Sequence, residues 1–112
     1  MDGKRLILPD NPTLRDFQDY VAEMKKIRGF NVTDKFYECC LLAEETGELV
    51  AAVRKNAKGG SVGSGSKIGC VKEELADVFI YVLSLANMHG LDLEEAFREK
   101  EEINKRRGWK RL

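Results

Sequence analysis

Apolar residues recur along this chain at the spacing of a helix, and nowhere with the β-branched alternation of a strand. After a lead-in that ends at Asp10-Asn11-Pro12, the residues Leu14, Phe17, Val21, Met24 and Ile27 fall on one helical face. Thr13 stands at the capping position before them and Gly29 at the stop behind them, which predicts an amphipathic surface helix from Thr13 to about Arg28. Phe30-Asn31-Val32 makes a short connector. Thr33 is the predicted start of a second helix reaching about Ala57; its middle is apolar on nearly every side and is expected to be buried. A third helix is predicted from about Lys67 or Val71 to His89, with Val71, Leu75, Val78, Val82 and Leu85 on one face and Gly90 just past its end. The fourth begins at an Asp92 cap, has Glu95 at the capping-box position, and ends near Gly108; its charge predicts exposure. The fold class is therefore all-α, a four-helix antiparallel bundle-like arrangement.

Residues 58 to 69 interrupt this pattern with a Gly- and Ser-rich stretch whose composition favours mobility over packing. It reads as a spacer, or as a lid over whatever the neighbouring helices hold.

Carboxylates intrude where the second and third helices should keep their cores. Glu45 and Glu48 sit among Leu41, Leu42, Leu49 and Val50, and Glu74 and Asp77 among Leu75, Val78 and Phe79. Residues three apart lie above one another on a helix, so each pair shares a face. The second helix runs about nine residues past Glu48, roughly 13 Å, and the third starts about seven residues before Glu74, roughly 10 Å. Packed antiparallel, the two pairs meet at similar height and form an oxygen cage. An unpaired buried carboxylate costs several kcal/mol, yet the second helix has no basic residue between Lys35 and Arg54, and the third none between Lys72 and Arg98. A cation from solution is the natural compensation. Oxygen-only ligands suit a hard ion, and a site that also receives phosphate oxygens suits Mg²⁺, with Mn²⁺ as substitute. A di-iron carboxylate bundle would need Glu-x-x-His pairs, whereas the sole histidine, His89, sits at the far end of the third helix, where it eases the helix dipole.

At 112 residues the chain is expected to form one domain over residues 1–112. Its 19 basic residues balance 19 acidic ones, which argues against a nucleic-acid partner bound through a diffuse basic surface. Cys39, Cys40 and Cys70 show neither zinc spacing nor a disulfide framework, and no apolar run is long enough to cross a membrane. These features, with no secretory pattern at the N-terminus, predict a cytoplasmic, reducing location.

Glu44-Glu45-x-x-Glu48, followed after 25 intervening residues by Glu74-x-x-Asp77, resembles the signature of MazG-like nucleoside triphosphate pyrophosphohydrolases of the all-α NTP pyrophosphatase superfamily. Tyr81 matches a family tyrosine one turn beyond Asp77, and residues 90–96 resemble the family's linker into its last helix. Lys100-x-x-x-Asn104-x-x-Arg107 resembles its C-terminal lysine, asparagine and arginine pattern, so the likeness covers about residues 13–110. The resemblance implies Mg²⁺-dependent hydrolysis of a (deoxy)nucleoside triphosphate at the α–β phosphoanhydride, giving a monophosphate and pyrophosphate, commonly in housecleaning of noncanonical or excess deoxynucleotides. It also implies a homodimer or a dimer of dimers.

On this reading Glu45, Glu48, Glu74 and Asp77 hold the cation, which would polarise the phosphorus and lower the pKa of the attacking water. Glu44 is the candidate base or outer partner. Lys100 and Arg107 are candidates for phosphate, Asn104 for sugar or base, and Tyr81 for a phosphate or ribose oxygen. Arg54 and Lys55 are further phosphate candidates. Phe30 stands where relatives that recognise pyrimidines often carry tryptophan, so it either stacks on a base or fixes its turn; Trp109 is a second candidate cover for the pocket. Gly47, costing roughly 1 kcal/mol in a helix interior, suggests close approach by a neighbouring helix or by substrate. Two other functions share these acids: a phosphoribosyl-ATP pyrophosphohydrolase, from which the last-helix pattern tilts away, and a non-catalytic helical module with a structural metal site. A metal-independent helical adaptor is the third.

Overall fold

Four α-helices and no strand account for the described residues of the computed structural model, which are 6–31, 34–57 and 69–108. They are α1 (Leu14–Arg28), α2 (Lys35–Ala57), α3 (Val71–Met88) and α4 (Leu93–Lys105). Most of their ends have a local cause. On α1 the Thr13 hydroxyl accepts from the Asp16 amide at 3.1 Å and the Asp16 carboxylate accepts from the Thr13 amide at 2.9 Å, a closed capping box. Gly29, at φ 77°, provides the left-handed residue that ends this helix. The cap of α2 is Asp34, whose carboxylate accepts from the Tyr37 amide at 2.7 Å; the expected start, Thr33, lies outside the described residues, as do Lys67 and segment 58–68. Asp92 caps α4 by accepting from the Glu95 amide at 2.9 Å. α3 differs, because Cys70 gives no side-chain cap.

α3 is the central element, packed on one side against α2 and on another against α1, with α4 touching α1. Val21 and Met24 of α1 meet Leu83 of α3 in the core, and Phe17, Tyr20, Phe79, Ile80, Leu6 and Leu93 close around them. The rings of Phe17 and Phe79 meet edge to face with centroids 5.7 Å apart. The buried stripe of α3 therefore differs from the expected one. Phe79, Ile80, Leu83 and Ala86 are its core positions, while Leu75 is exposed. A helix that is apolar on most sides does not declare its buried face by periodicity; its neighbours decide. On α1 the expected stripe holds at Phe17, Val21 and Met24, whereas Ile27 is exposed.

α2 departs most from expectation. Only Glu38 and Ala52 are buried along its 23 residues, and Val50 and Val53 face outward. Within one chain its principal neighbour, α3, covers a single side. Gly47 has nothing within 4 Å of the Cβ it lacks, so no neighbouring helix of this chain explains it.

Gln18, unread in the sequence, is fully buried between helices. Its amide nitrogen donates to Asn87 Oδ1 and to the Leu91 carbonyl, both at 2.9 Å, and its amide oxygen accepts from the Leu93 amide at 2.8 Å. Asn87 returns a bond to the Gln18 carbonyl at 2.8 Å. This closed set fixes the turn from α3 into α4 against α1.

Candidate functional site

The antiparallel register of α2 and α3 follows from which side chains meet. Ser84 donates to Glu38, Glu45 feels the charge of Asp77, and Glu48 lies beside Glu74, so ten residues forward on α2 match ten backward on α3. The helices thus bring the two acidic pairs together. One carboxylate oxygen from each of Glu45, Glu48 and Glu74 lies within 4.8 Å of the others. Asp77 falls just outside this trio but belongs to the same electrostatic unit: burial first, then the charges of Glu74 and Glu73, push its pKa up.

Glu74 is the deepest of these acids, at 2% exposure. Its Oε1 accepts from the Gly69 amide at 2.7 Å, which leaves Glu74 as the residue that satisfies the start of α3. Among the described residues its Oε2 is buried with no hydrogen-bond partner, and so is Oε2 of Glu45. Two orphaned carboxylate oxygens in one cluster are costly unless a positive charge joins them. Among the described residues no ion pair reaches Glu45, Glu48, Glu74 or Asp77. Glu45 carries the strain as a raised pKa, about 7, caused by burial and then by the charge and hydrogen bond of Glu48, with Asp77 and Glu74 adding to it. The residues fit a hard divalent ion. Octahedral Mg²⁺ at about 2.1 Å spreads its ligands over roughly 3 to 4 Å, so a small inward rotation of the trio suffices.

A cavity of about 460 Å³ opens from this cluster along the α2–α3 groove. Glu45 and Asp77 line its acidic end; Tyr81, Leu41 and Ile80 line its middle; Phe30, Arg28 and Tyr37 stand along its wall. Tyr81 keeps its proton beyond the ordinary tyrosine range because burial, then Glu45 and Glu38, oppose ionisation, so it faces the cavity as a hydroxyl donor. Tyr81 and Phe30 therefore line the same cavity as Glu45 and Asp77.

Other expected residues are placed elsewhere. Glu44 is exposed and outside the carboxylate trio, although its charge reaches Tyr81. Lys100, Asn104 and Arg107 belong to α4 and the turn after it, and none lines the cavity of its own chain; the helix that α4 contacts is α1. Arg54 and Lys55 occupy the last turn of α2. His89 is the C-cap of α3. Cys39, Cys40 and Cys70 are free thiols, and no described helix is long and apolar enough to cross a membrane. Trp109 lies outside the described residues.

The far end of the cavity holds a group that sequence reasoning missed. Lys25 of α1, Glu38 of α2 and Ser84 of α3 are joined there by hydrogen bonds. Two signals in the sequence could have exposed them: Glu38 is two turns before Glu45, and Ser84 is a lone hydroxyl in the apolar run of α3.

Comparison with known proteins agrees with this geometry. A family model described as the MazG nucleotide pyrophosphohydrolase domain matches residues 37–108. A dATP/dGTP diphosphohydrolase of Cyanophage S-2L is 39% identical over 70 residues, 62% of this chain and 53% of that protein, so the chain spans about half the length of the curated relative it matches. The crystal structure of iMazG from Vibrio DAT 722 aligns with a TM-score of 0.61 at 36% identity, over 83% of this chain and 94% of that one. A Cyanophage S-2L MazG-like pyrophosphohydrolase bound to dGDP and three catalytic Mn²⁺ ions per active site aligns with a TM-score of 0.68 at 29% identity, over 93% of this chain and 89% of that one.

Proposed function

Because the chain belongs to the MazG nucleotide pyrophosphohydrolase family, we propose that it hydrolyses (deoxy)nucleoside triphosphates at the α–β phosphoanhydride, releasing a nucleoside monophosphate and pyrophosphate. The observation that carries this reading is the pair of orphaned, buried carboxylate oxygens on Glu45 and Glu74, beside Glu48 and Asp77, at one end of a cavity large enough for a nucleoside. The dATP/dGTP activity named for the Cyanophage S-2L relative and the dGDP and Mn²⁺ held by its structural neighbour support a deoxynucleotide substrate.

Glu45, Glu48, Glu74 and Asp77 would hold Mg²⁺, with Mn²⁺ as substitute. When bound, the ion supplies neutralisation of phosphate charge and activation of water. The protein's own contribution is positional. Two rigid helices fix the carboxylates, Gly69 locks one oxygen of Glu74, and Tyr81 presents its hydroxyl to the ribose or phosphate. A cluster carboxylate not engaged as a ligand accepts the proton of the attacking water. Phe30, at the cavity wall, stacks on the base.

The active form is a homodimer or dimer of dimers. Val50 and Val53 on α2, Leu75 on α3 and Phe97 and Ile103 on α4 are exposed in one chain and would be covered by a second copy. Assembly also offers a route for Lys100, Asn104 and Arg107 to meet phosphates across the interface. The role is cleanup of unwanted nucleotides in the cytoplasm.

Pyrophosphate release from dGTP, dATP, dCTP, dUTP, ATP and phosphoribosyl-ATP, each with Mg²⁺, tests the proposal. Turnover of deoxynucleotides is expected. Preference for phosphoribosyl-ATP would reassign the enzyme to that reaction, and thermal stabilisation by Mg²⁺ without any pyrophosphate would leave a structural metal site.

A further inference from the structure

Two cations line the cavity, and they differ in what holds them. Lys25 is engaged by Glu38 and Ser84. Arg28, one turn on in α1, is exposed, and among the described residues its side chain makes no hydrogen bond and no ion pair. A basic residue in the last turn of a helix eases the dipole. Lys26 stands in that same turn and is also exposed, yet it does not line this cavity. The dipole accounts for positive charge at this helix end, but not for a guanidinium on the cavity wall.

The neighbours of Arg28 place it along α3. A second, largely apolar cavity of about 440 Å³ lies between α1 and α3, and Arg28, Met24 and Ile80 line both cavities. The second cavity also takes Ala76, the residue before Asp77. Ile80 is three residues past Asp77, roughly 4.5 Å of helix rise, an interval that an arginine side chain is long enough to cover. Arg28 thus borders the acidic end from the α1 side.

We propose that Arg28 holds the β- and γ-phosphates of the substrate and stabilises pyrophosphate as the leaving group. The inference rests on the pyrophosphohydrolase reading and adds a catalytic residue to it. In that reaction the water oxygen bonds to the α-phosphorus as the bond from that phosphorus to the α–β bridging oxygen breaks. The electron pair departs on the bridging oxygen with pyrophosphate, and the water's proton passes to a cluster carboxylate. Negative charge therefore grows on the departing group, which the four acids repel. Lys25 is already engaged, and Lys100 and Arg107 do not line this cavity. Arg28 answers the need: its guanidinium is always charged, offers a planar fork of N–H groups that matches two phosphate oxygens, and has no described bond to break before it turns to them.

The test is calorimetric binding, with Mn²⁺, of dGMP and of the α,β-methylene analogue of dGTP, which resists cleavage at the scissile position. The proteins are wild type, Arg28→Gln, Arg28→Lys and Lys26→Gln, each checked for folding by circular dichroism. Arg28→Gln is expected to bind the triphosphate analogue at least about tenfold more weakly than wild type does, the worth of hydrogen bonds to a charged group. Its affinity for dGMP, which lacks the β- and γ-phosphates, is expected to stay within about threefold. Lys26→Gln removes a charge from the same turn and should leave both affinities within about threefold. With dGTP as substrate, Arg28→Gln is expected to lower kcat by about 10²-fold, the loss typical of a donor aimed at developing charge. Arg28→Lys keeps the charge without the fork, so it should show the same selective loss at smaller size, and it decides the matter should Arg28→Gln not fold. Equal weakening of dGMP and the analogue, a loss in Lys26→Gln as large as in Arg28→Gln, or no loss in any variant overturns the proposal. Binding is read without turnover, so wild-type protein that releases no pyrophosphate would end the hydrolytic reading, while the two affinities still judge the phosphate contact.

Discussion

Two glutamates in this molecule are equally buried and oppositely served. Glu38, at 3% exposure, has an ammonium and a hydroxyl on one oxygen; Glu74, at 2%, has a backbone amide on one oxygen and, among the described residues, no partner on the other. Both lie along one groove between α2 and α3. At one end the chain supplies its own positive charge from α1, so the carboxylate is already paired. At the other end it brings four acids together with no described ion pair to any of them, which marks a place for a charge from solution. The contrast teaches that burial of an acid is not in itself a functional signal; the missing counter-charge is.

The comparison is broken most forcefully through catalysis. Glu48→Gln or Asp77→Asn is expected to lower turnover by about two to four orders of magnitude, because each removes a group that acts on the phosphates through the bound ion. Pyrophosphate release under saturating Mg²⁺ checks this, and activity within about threefold of wild type would remove these acids from the site.

Next in size is the stability of the finished end. Lys25→Met leaves Glu38 buried without its cation and is expected to cost about 3 to 5 kcal/mol, read as a lowered midpoint of urea unfolding. The same treatment at the unfinished end has the opposite sign. Glu74→Gln or Glu48→Gln relieves like-charge repulsion in the metal-free protein and is expected to raise its stability by about 1 kcal/mol. If both ends respond alike, the distinction between them is lost.

Much of this was legible in the sequence, and the remainder was hidden for identifiable reasons. Glu45, Glu48, Glu74 and Asp77 stood out because charges at helical spacing interrupt long apolar runs, and the helix lengths already placed them at similar height. The caps Thr13 and Asp92 and the stop at Gly29 were local and were found. Gln18, Lys25, Glu38 and Ser84 were not, since each is a single polar residue whose partners lie on other helices and meet only through tertiary register. The burial expected for α2 failed for a different reason. Its apolar faces outnumber the helices one chain can lay against them, leaving Val50 and Val53 outward. Lys100, Asn104 and Arg107 share a helix face by spacing, but spacing does not say which groove that helix borders.

The smallest expected effect is a pH trend confined to the unfinished end. In metal-free protein Glu45 keeps its proton to about pH 7, whereas the unfolded chain releases it near its ordinary value of 4.5. Between these values the unfolded state binds fewer protons, so stability falls as pH rises, by an amount on the order of 1 kcal/mol once solvent screening is allowed for. Melting in EDTA across this range should show the decline, and Glu45→Gln should flatten it.

Direct titration of Mn²⁺ into nucleotide-free protein at pH 8, followed by electron paramagnetic resonance, bears most closely on the claim that the two helices leave a cation's place open. Wild-type protein should sequester the ion, and Glu74→Gln should weaken that binding by at least about tenfold, while Lys25→Met, if folded, should retain it. Mn²⁺ binding that is undiminished in Glu74→Gln would contradict the account.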